Sequence, residues 1–163
     1  MHLALTIPKI LIRWLIYLSL ASYFPWLSAQ ENNQFSLDQI INYIEYDAFY
    51  SSSGQVTEDD LEKLKEAGFN RIIYIAFDDP KRALLNEDRL VMGLGMKYFH
   101  IPVEWNNPEL TDFMTFAAIM QVQPKKRTLL HCQVNYRASV FSFLYRVIYN
   151  KENMATAKLD MER

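Results

Sequence analysis

The sequence is poor in cysteine and in histidine, and both shortages narrow the chemistry that it can carry out. Its 163 residues include one Cys, Cys132, and 3 His. One Cys cannot form an internal disulfide and has no second thiol to resolve one, which disfavours a thiol redox role. The scattered His residues and the single Cys lack the spacing of a metal site. We therefore expect no metal site and no other cofactor.

An excess of one charge sign is also missing. The chain has 17 Lys and Arg against 19 Asp and Glu, which gives a net charge of −2. This balance gives no reason to expect a nucleic-acid partner or a strong preference for anionic surfaces. A hydrophobic content of 50% and a charged content of 22% are typical of a globular protein, and the length indicates one domain.

Near its N-terminus the chain has an apolar run, at residues 14–27, that is short for a membrane-spanning helix, which needs about 20 residues. Lys9 and Arg13 precede this run. The run leads into the sequence LSA at residues 27–29, which resembles a signal-peptidase cleavage site with Ala29 last. The pattern predicts a secretory signal peptide at residues 1–29 and a folded domain at residues 30–163. An uncleaved membrane anchor is the alternative, and it would add membrane association through this segment.

The order of the predicted elements indicates an α/β fold with a central, mostly parallel sheet flanked by helices. Residues 71–77 (RIIYIAF) form the near-continuous apolar run that is typical of a strand buried on both faces. Residues 44–49, 97–103 and 127–130 predict further strands, and residues 51–54 a turn. Helices are predicted to begin near Thr57, Asn86, Pro108, Arg137 and Asn153.

One stretch, HCQVNYRAS at residues 131–139, joins the last predicted strand to a helix. A tight loop at such a junction turns its backbone N–H groups toward a common centre, and the helix dipole adds positive potential for a tetrahedral oxyanion. The same field favours the Cys132 thiolate as a nucleophile. Arg137 can donate two parallel hydrogen bonds to phosphate oxygens, a geometry that Lys cannot copy. The stretch therefore indicates attack of a thiolate on phosphorus, with guanidinium and amides holding the oxygens.

This stretch resembles the HC-x5-R phosphate-binding loop of the cysteine-dependent protein tyrosine and dual-specificity phosphatases. More narrowly, HCQVNYR is similar to the HC-x-x-N-x-R loop of a compact bacterial branch of that superfamily. The stretches SSSGQVTEDDLEKLKEAGFNRIIYI and KYFHIPVEW resemble the same branch, so the similarity covers roughly residues 39–160. It implies a dual-specificity-phosphatase-like α/β fold.

The resemblance also implies a function and a set of site residues. It implies hydrolysis of phosphomonoesters, of a phosphotyrosine type, through a cysteinyl-phosphate on Cys132, with Arg137 binding the phosphate. A small phosphorylated metabolite or a lipid headgroup is equally compatible with the loop. The expected phosphate-binding residues of the loop are Gln133, Val134, Asn135, Tyr136 and Ala138.

Two loop positions depart from the common superfamily pattern. Asn135 stands where many members have Gly, and Asn tolerates the left-handed backbone better than other non-Gly residues. Ala138 stands where many members have Ser or Thr, and Ser139 follows it. The hydroxyl that assists the thiolate as a leaving group is therefore missing or placed differently, which affects breakdown of the phosphoenzyme more than phosphate binding. A phosphate-binding module with little or no turnover is the alternative function.

The proton donor is not evident from the sequence. If Pro102 matches the family's common loop proline, the usual acid position falls on Trp105, which cannot donate a proton in this way. Glu104 is the nearest carboxylate and the preferred general acid. Asp78 and Asp79, which follow another strand, are the other candidates. His131 is expected to order the loop. With a cleaved leader, we expect the protein in the periplasm or secreted; with an uncleaved one, we expect it anchored to the membrane.

Overall fold

The computed structural model describes residues 36–77, Asp79 and residues 81–163. These residues belong to one compact unit, Phe35–Arg163. The predicted signal peptide or membrane anchor, residues 1–29, and the predicted domain boundary after it lie outside the described residues. Both therefore stay predictions.

Five strands form a single sheet in the order β1-β2-β5-β3-β4. The strands are β1 (Ile44–Asp47), β2 (Tyr50–Ser53), β3 (Arg71–Tyr74), β4 (Lys97–His100) and β5 (Thr128–His131). Only β1 runs antiparallel to its neighbour, and the β2–β5, β5–β3 and β3–β4 pairs are parallel. The prediction of a mostly parallel α/β sheet is confirmed, and β3 is buried along its whole length as expected.

Five α-helices and one short 3-10 helix (Leu37–Gln39) accompany the sheet in the described part of the chain. The α-helices are α1 (Glu58–Glu66), α2 (Glu87–Gly93), α3 (Leu110–Gln121), α4 (Tyr136–Ile148) and α5 (Met154–Met161). Thr57 and Asp60 cap α1 reciprocally, as the sequence predicts. α3 begins two residues after Pro108, because the Asp112 side chain accepts a hydrogen bond from the Glu109 N–H and fixes the start there.

The turn predicted at residues 51–54 is wrong, because residues 50–53 form the fully buried strand β2. Ser and Gly are common in turns, but here the three serine hydroxyls have hydrogen-bond partners in the sheet or directly next to it. Ser51 and Ser52 share hydrogen bonds with the hydroxyls of Tyr43 and Tyr46, at 3.0 and 2.7 Å, and Ser53 donates to the Gly54 carbonyl. These partners offset the cost of burying three hydroxyl groups.

The core has two parts, one on each face of the sheet. Alternating strand residues supply them: Ile73 and Leu130 belong to one cluster, and Ile72 and Leu129 to the other. The first cluster contains side chains of α3 and α4, and the second contains side chains of α1 and α2. β5 is the central strand of the sheet, so Cys132, which directly follows β5, lies at the middle of the sheet's edge.

Candidate active site

The loop of residues 132–137, called the phosphate loop below, connects β5 directly to α4. Cys132 is the first residue after β5, is fully buried, and donates its backbone N–H to the Ser53 carbonyl at 3.3 Å. Because β2 and β3 flank β5 and run parallel to it, their carboxyl ends meet at the same edge. The thiol therefore lies where parallel α/β sheets generally bind ligands.

Asn135 gives the phosphate loop its turn into the helix. Its backbone is left-handed, with φ of 69°, as the sequence analysis expects of an Asn in place of Gly. It stands at the N-cap of α4, but its side chain does not cap the helix. The first bond of the helix runs from the Ser139 N–H to the Asn135 carbonyl at 2.8 Å. The amides of residues 136–138 therefore have no partner within the helix and are available to an anion.

Segments distant in sequence brace the phosphate loop. The Asn42 side chain donates to the Val134 carbonyl at 3.1 Å, and the Asn135 side chain donates back to the Asn42 carbonyl at 2.6 Å. From the other side, the Gln55 N–H donates to the Gln133 carbonyl at 3.1 Å. The turns on both sides of β1 and β2 thus hold three consecutive loop residues.

Gly54 allows this close approach of the β2 end to the phosphate loop. It forms an isolated antiparallel bridge with Val134. A Cβ at this position would lie 2.7 Å from a methyl carbon of Ile41 and 3.1 Å from the Gln133 carbonyl oxygen. Any larger residue would therefore push the loop and the segment before β1 apart.

Two nitrogens of the Arg137 guanidinium are hydrogen-bonded and the third is not. Its Nη1 donates to the Val103 carbonyl at 2.6 Å, and its Nη2 donates to the Gln133 side-chain oxygen at 3.3 Å. Its Nε is buried and has no hydrogen-bond partner. An unpaired buried N–H of a charged group is costly, and an oxyanion that accepts from Nε and Nη2 would satisfy it in the bidentate manner typical of Arg.

Trp105 packs over the guanidinium. The Arg137 carbon Cζ lies 5.2 Å from the centre of the Trp105 ring. The centre of the Tyr136 ring lies 6.3 Å from the centre of the same Trp105 ring. Both aromatic side chains are largely exposed, at 55% for Trp105 and 64% for Tyr136. Trp105 is also one wall of a cleft of about 620 Å³, which is lined by Ile41, Gln55, Val56, Thr57, Arg82, Trp105, Gln133 and Val134.

The acid candidates have different surroundings. Glu104 is exposed and directly follows Val103, the residue whose carbonyl anchors Arg137. Asp79 is paired with Arg82 at 3.6 Å and lines a different cavity, beside His100. Asp78 lies outside the described residues. The Arg137–Val103 hydrogen bond therefore brings the Glu104 loop into contact with the phosphate loop, whereas the contacts described for Asp79 lie at the other cavity.

Ala138 is completely buried in the first turn of α4. The neighbouring Ser139 does not replace the missing hydroxyl, because its Oγ donates to the Tyr136 carbonyl at 3.0 Å. Of the other predicted phosphate-binding residues, Asn135 is buried, Gln133 is half-buried and Val134 is exposed.

Sequence reasoning missed one buried residue close to Cys132 in the fold, Glu87. Its carboxylate is buried, with Oε1 at 2.7 Å from Nε2 of His131, the residue before Cys132. Glu87 stands in the first turn of α2, where an acid is common on a solvated helix start, so no local signal distinguished it.

Among the described residues, no helix is long and apolar enough to cross a membrane. Within the same part of the chain, no group of three or more His, Cys, Asp or Glu side chains is arranged to hold a metal ion.

Solved structures of known proteins resemble this chain in sequence or in fold. No family model and no curated protein matches the chain. A protein of Shewanella putrefaciens CN-32, described as a candidate phosphatase (DUF442), is 36% identical over 76% of this chain and 80% of its own, with a TM-score of 0.70. TpbA of P. aeruginosa is 16% identical over 76% of this chain and 73% of its own, with a TM-score of 0.62. The catalytic core of the PP-IP phosphatase SIW14 of S. cerevisiae is 10% identical over 76% of this chain and 75% of its own, with a TM-score of 0.63.

The last two proteins share the fold, and the first shares the family. The chain belongs to the phosphatase family of the Shewanella protein, DUF442. The family resemblance and the fold class predicted from the sequence are thereby confirmed.

Proposed function

We propose that the protein hydrolyses phosphomonoesters through a cysteinyl-phosphate on Cys132. Membership of a phosphatase family supports the hydrolysis. The observation that carries the mechanism is Arg137, whose Nη1 is anchored while its Nε is buried and unpaired beside the free amides of the α4 start. This is the arrangement that a phosphoryl group with three equatorial oxygens requires.

In the first step, the Cys132 thiolate attacks phosphorus and the bond to the leaving oxygen breaks. Glu104, as the proposed acid, gives its proton to that oxygen. In the second step, a water oxygen attacks phosphorus, the P–S bond breaks and its electrons return to sulfur. The Glu104 carboxylate takes the proton of the water, and inorganic phosphate leaves. Arg137 exchanges its contact with Gln133 for a phosphate oxygen in both steps.

We propose an aryl phosphate, such as the phosphotyrosine of a protein, as the substrate class. A structure of TpbA holds phosphotyrosine. In this chain, the exposed rings of Trp105 and Tyr136 stand beside Arg137 and can contact an aromatic leaving group. Small phosphorylated metabolites remain the alternative, and a panel of aryl and alkyl phosphates separates the two classes.

We also propose that the enzyme works outside the cytoplasm, in the periplasm or anchored to the membrane. The basic residues and apolar run of residues 1–29 support this location. Expression of the full chain in a bacterial host, followed by fractionation and N-terminal sequencing, tests it. An uncut chain in the cytoplasmic fraction would reject the proposal.

The test of the activity is hydrolysis of an aryl phosphate by the full chain beside Cys132→Ser. We expect turnover that vanadate blocks and that the substitution abolishes. A folded protein that binds vanadate without turnover would support the phosphate-binding module. The Ala138 position and the engaged Ser139 hydroxyl favour that alternative. Failure to bind vanadate would reject both functions.

A further inference from the structure

Three polar side chains, those of Gln55, Glu87 and His131, meet beside the phosphate loop. Glu87 begins α2, His131 ends β5, and Gln55 follows β2. One carboxylate oxygen of Glu87 lies 2.7 Å from Nε2 of His131, an ion-pair distance without hydrogen-bond alignment. The other accepts a hydrogen bond from the Gln55 side chain at 3.3 Å. Glu87 is 4% exposed and His131 is 0% exposed, so both are buried, and Gln55 is half-buried.

A buried carboxylate needs an explanation. Removing a carboxylate from water is unfavourable unless a partner compensates it, and a well-packed apolar residue is often the more stable choice. Helix α2 has apolar side chains such as Val91 to pack against the sheet. The carboxylate of Glu87 is therefore not required for packing, and its contacts must explain why it is buried.

Its contacts lead to both neighbours of the nucleophile. Glu87 contacts His131, which precedes Cys132, and the ring of Tyr74 stacks on the His131 ring with the two ring centres 4.8 Å apart. Through Gln55, Glu87 also reaches Gln133, because the Gln55 N–H donates to the Gln133 carbonyl at 3.1 Å. The residues on either side of Cys132 are thus held by one carboxylate.

We propose that Glu87 is a positioning residue that fixes the backbone of Cys132 through His131 and Gln55. The inference rests on the proposed function, in which Cys132 is the nucleophile. Loss of this restraint would let the sulfur move relative to the loop amides and Arg137. A displacement of about 1 Å at a reacting atom can lower a rate about 100-fold.

The test compares Glu87→Ala, Glu87→Gln and the control Asp88→Ala, an exposed acid one residue along the same helix. Two rates are measured per folded molecule: kcat for an aryl phosphate, and alkylation by iodoacetamide. Cys132 is the only thiol in the chain, so alkylation reports on it alone. Unfolding midpoints are recorded for each variant.

We expect Glu87→Ala to lower kcat about 100-fold, with KM changed less than about threefold, and to slow alkylation in parallel. Glu87→Gln should recover most of both rates, because the Gln55 side chain has an unpaired oxygen that can turn to accept from the new amide. Asp88→Ala should match the unsubstituted chain. A purely structural role would lower the unfolding midpoint and leave both rates per folded molecule unchanged.

If Glu87→Ala does not fold, the variant Gln55→Leu tests the positioning role of Glu87 instead. It removes the link from Glu87 to Gln133, and we expect it to lower kcat and the alkylation rate by about tenfold. Unchanged rates in folded Glu87→Ala, or in Gln55→Leu when the first variant does not fold, would overturn the inference. Absence of turnover in the unsubstituted chain would reject the proposed function instead, and the alkylation rates would still decide the role of Glu87.

Discussion

Arg137 donates a hydrogen bond of 2.6 Å to the carbonyl oxygen of Val103, the residue directly before Glu104. The contact joins the phosphate loop to the loop that carries the proposed acid, across 34 residues of sequence. It uses one nitrogen of the guanidinium and leaves Nε without a partner. Only a side chain with several fixed donors can hold the acid loop and an oxyanion at once.

This relationship predicts the effect of Arg137→Lys. A single ammonium cannot replace both the anchor and the bidentate contact, so the vanadate dissociation constant should rise about 100-fold. Isothermal titration measures it. Lys125→Ala, which removes an exposed cation away from the loop, is the control. Vanadate affinity within threefold of the original, in the folded Arg137→Lys protein, would contradict the assigned role.

Replacing Glu104 by Gln tests the acid. We expect kcat to fall about 100- to 10,000-fold for a phenyl phosphate, which needs protonation of its leaving oxygen. An ester with a nitrophenyl leaving group should lose much less, because that group departs without a proton. Steady-state kinetics on both esters give the comparison, with Asp79→Asn as the matched control. An equal loss on both esters, or a larger loss in the control, would remove Glu104 from the mechanism.

Ala138→Ser tests breakdown of the phosphoenzyme. The native chain lacks a hydroxyl here, and the Ser139 hydroxyl is engaged by the Tyr136 carbonyl. Rapid-mixing experiments should show a burst of released alcohol before a slow steady state. A hydrogen bond to the departing thiolate should raise the steady-state rate about tenfold in the variant. Ser139→Ala should leave the rate unchanged. A native chain with no burst would place the slow step before the intermediate.

Asn135 predicts a stability difference between two small residues. Ala at this left-handed position should lower the free energy of unfolding by about 2 kcal/mol, from backbone strain and the lost bond to Asn42. Gly should lose less, because it adopts this backbone without strain. Urea unfolding measures both, with Asn106→Ala as an exposed control. Equal losses for Ala and Gly would show that the side-chain bond alone matters.

Buried tyrosines predict how stability depends on alkaline pH. Burial raises the pKa of Tyr50 well above 10.0, and it also raises the pKa values of Tyr46 and Tyr145. The unfolded chain releases these protons near pH 10, whereas the folded chain keeps them. The stability is therefore full below pH 10 and is lost as the pH rises from there toward the folded pKa values.

Urea midpoints at pH 8, 10 and 11 measure this loss. Tyr50→Phe removes one of the groups, together with the hydrogen bond of its hydroxyl to Ser142. The variant should be about 1 kcal/mol less stable at neutral pH and should lose less on going to alkaline pH. An unchanged alkaline slope would show that Tyr50 does not contribute.

The features predicted well from the sequence depend on neighbours in the chain. The RIIYIAF strand follows from its own apolar run, the α1 start from Thr57 and Asp60 three residues apart, and the left-handed Asn135 from its place in the motif. In each case the pattern and its physical cause lie within a few residues.

The features that were missed depend on contacts that form only when separate elements of the chain pack together. Burial of the β2 serines depends on hydroxyls of Tyr43 and Tyr46, across the hairpin, which no local propensity reports. The Glu87–His131 contact joins helix α2 to strand β5. For the same reason the sequence could name Glu104 only as the nearest carboxylate, since the Arg137–Val103 contact appears only in three dimensions.

The bracing of the phosphate loop has a consequence for protein engineering. Asn42, Gly54 and Gln55 contact backbone atoms of the phosphate loop, so residues outside the HC-x5-R motif help to determine the conformation of the loop. Grafting the nine residues HCQVNYRAS onto the strand–helix junction of another α/β scaffold would transfer the thiol and the guanidinium without their support. A transplantable unit needs the hairpin of residues 41–55 as well, which makes the motif a two-part module.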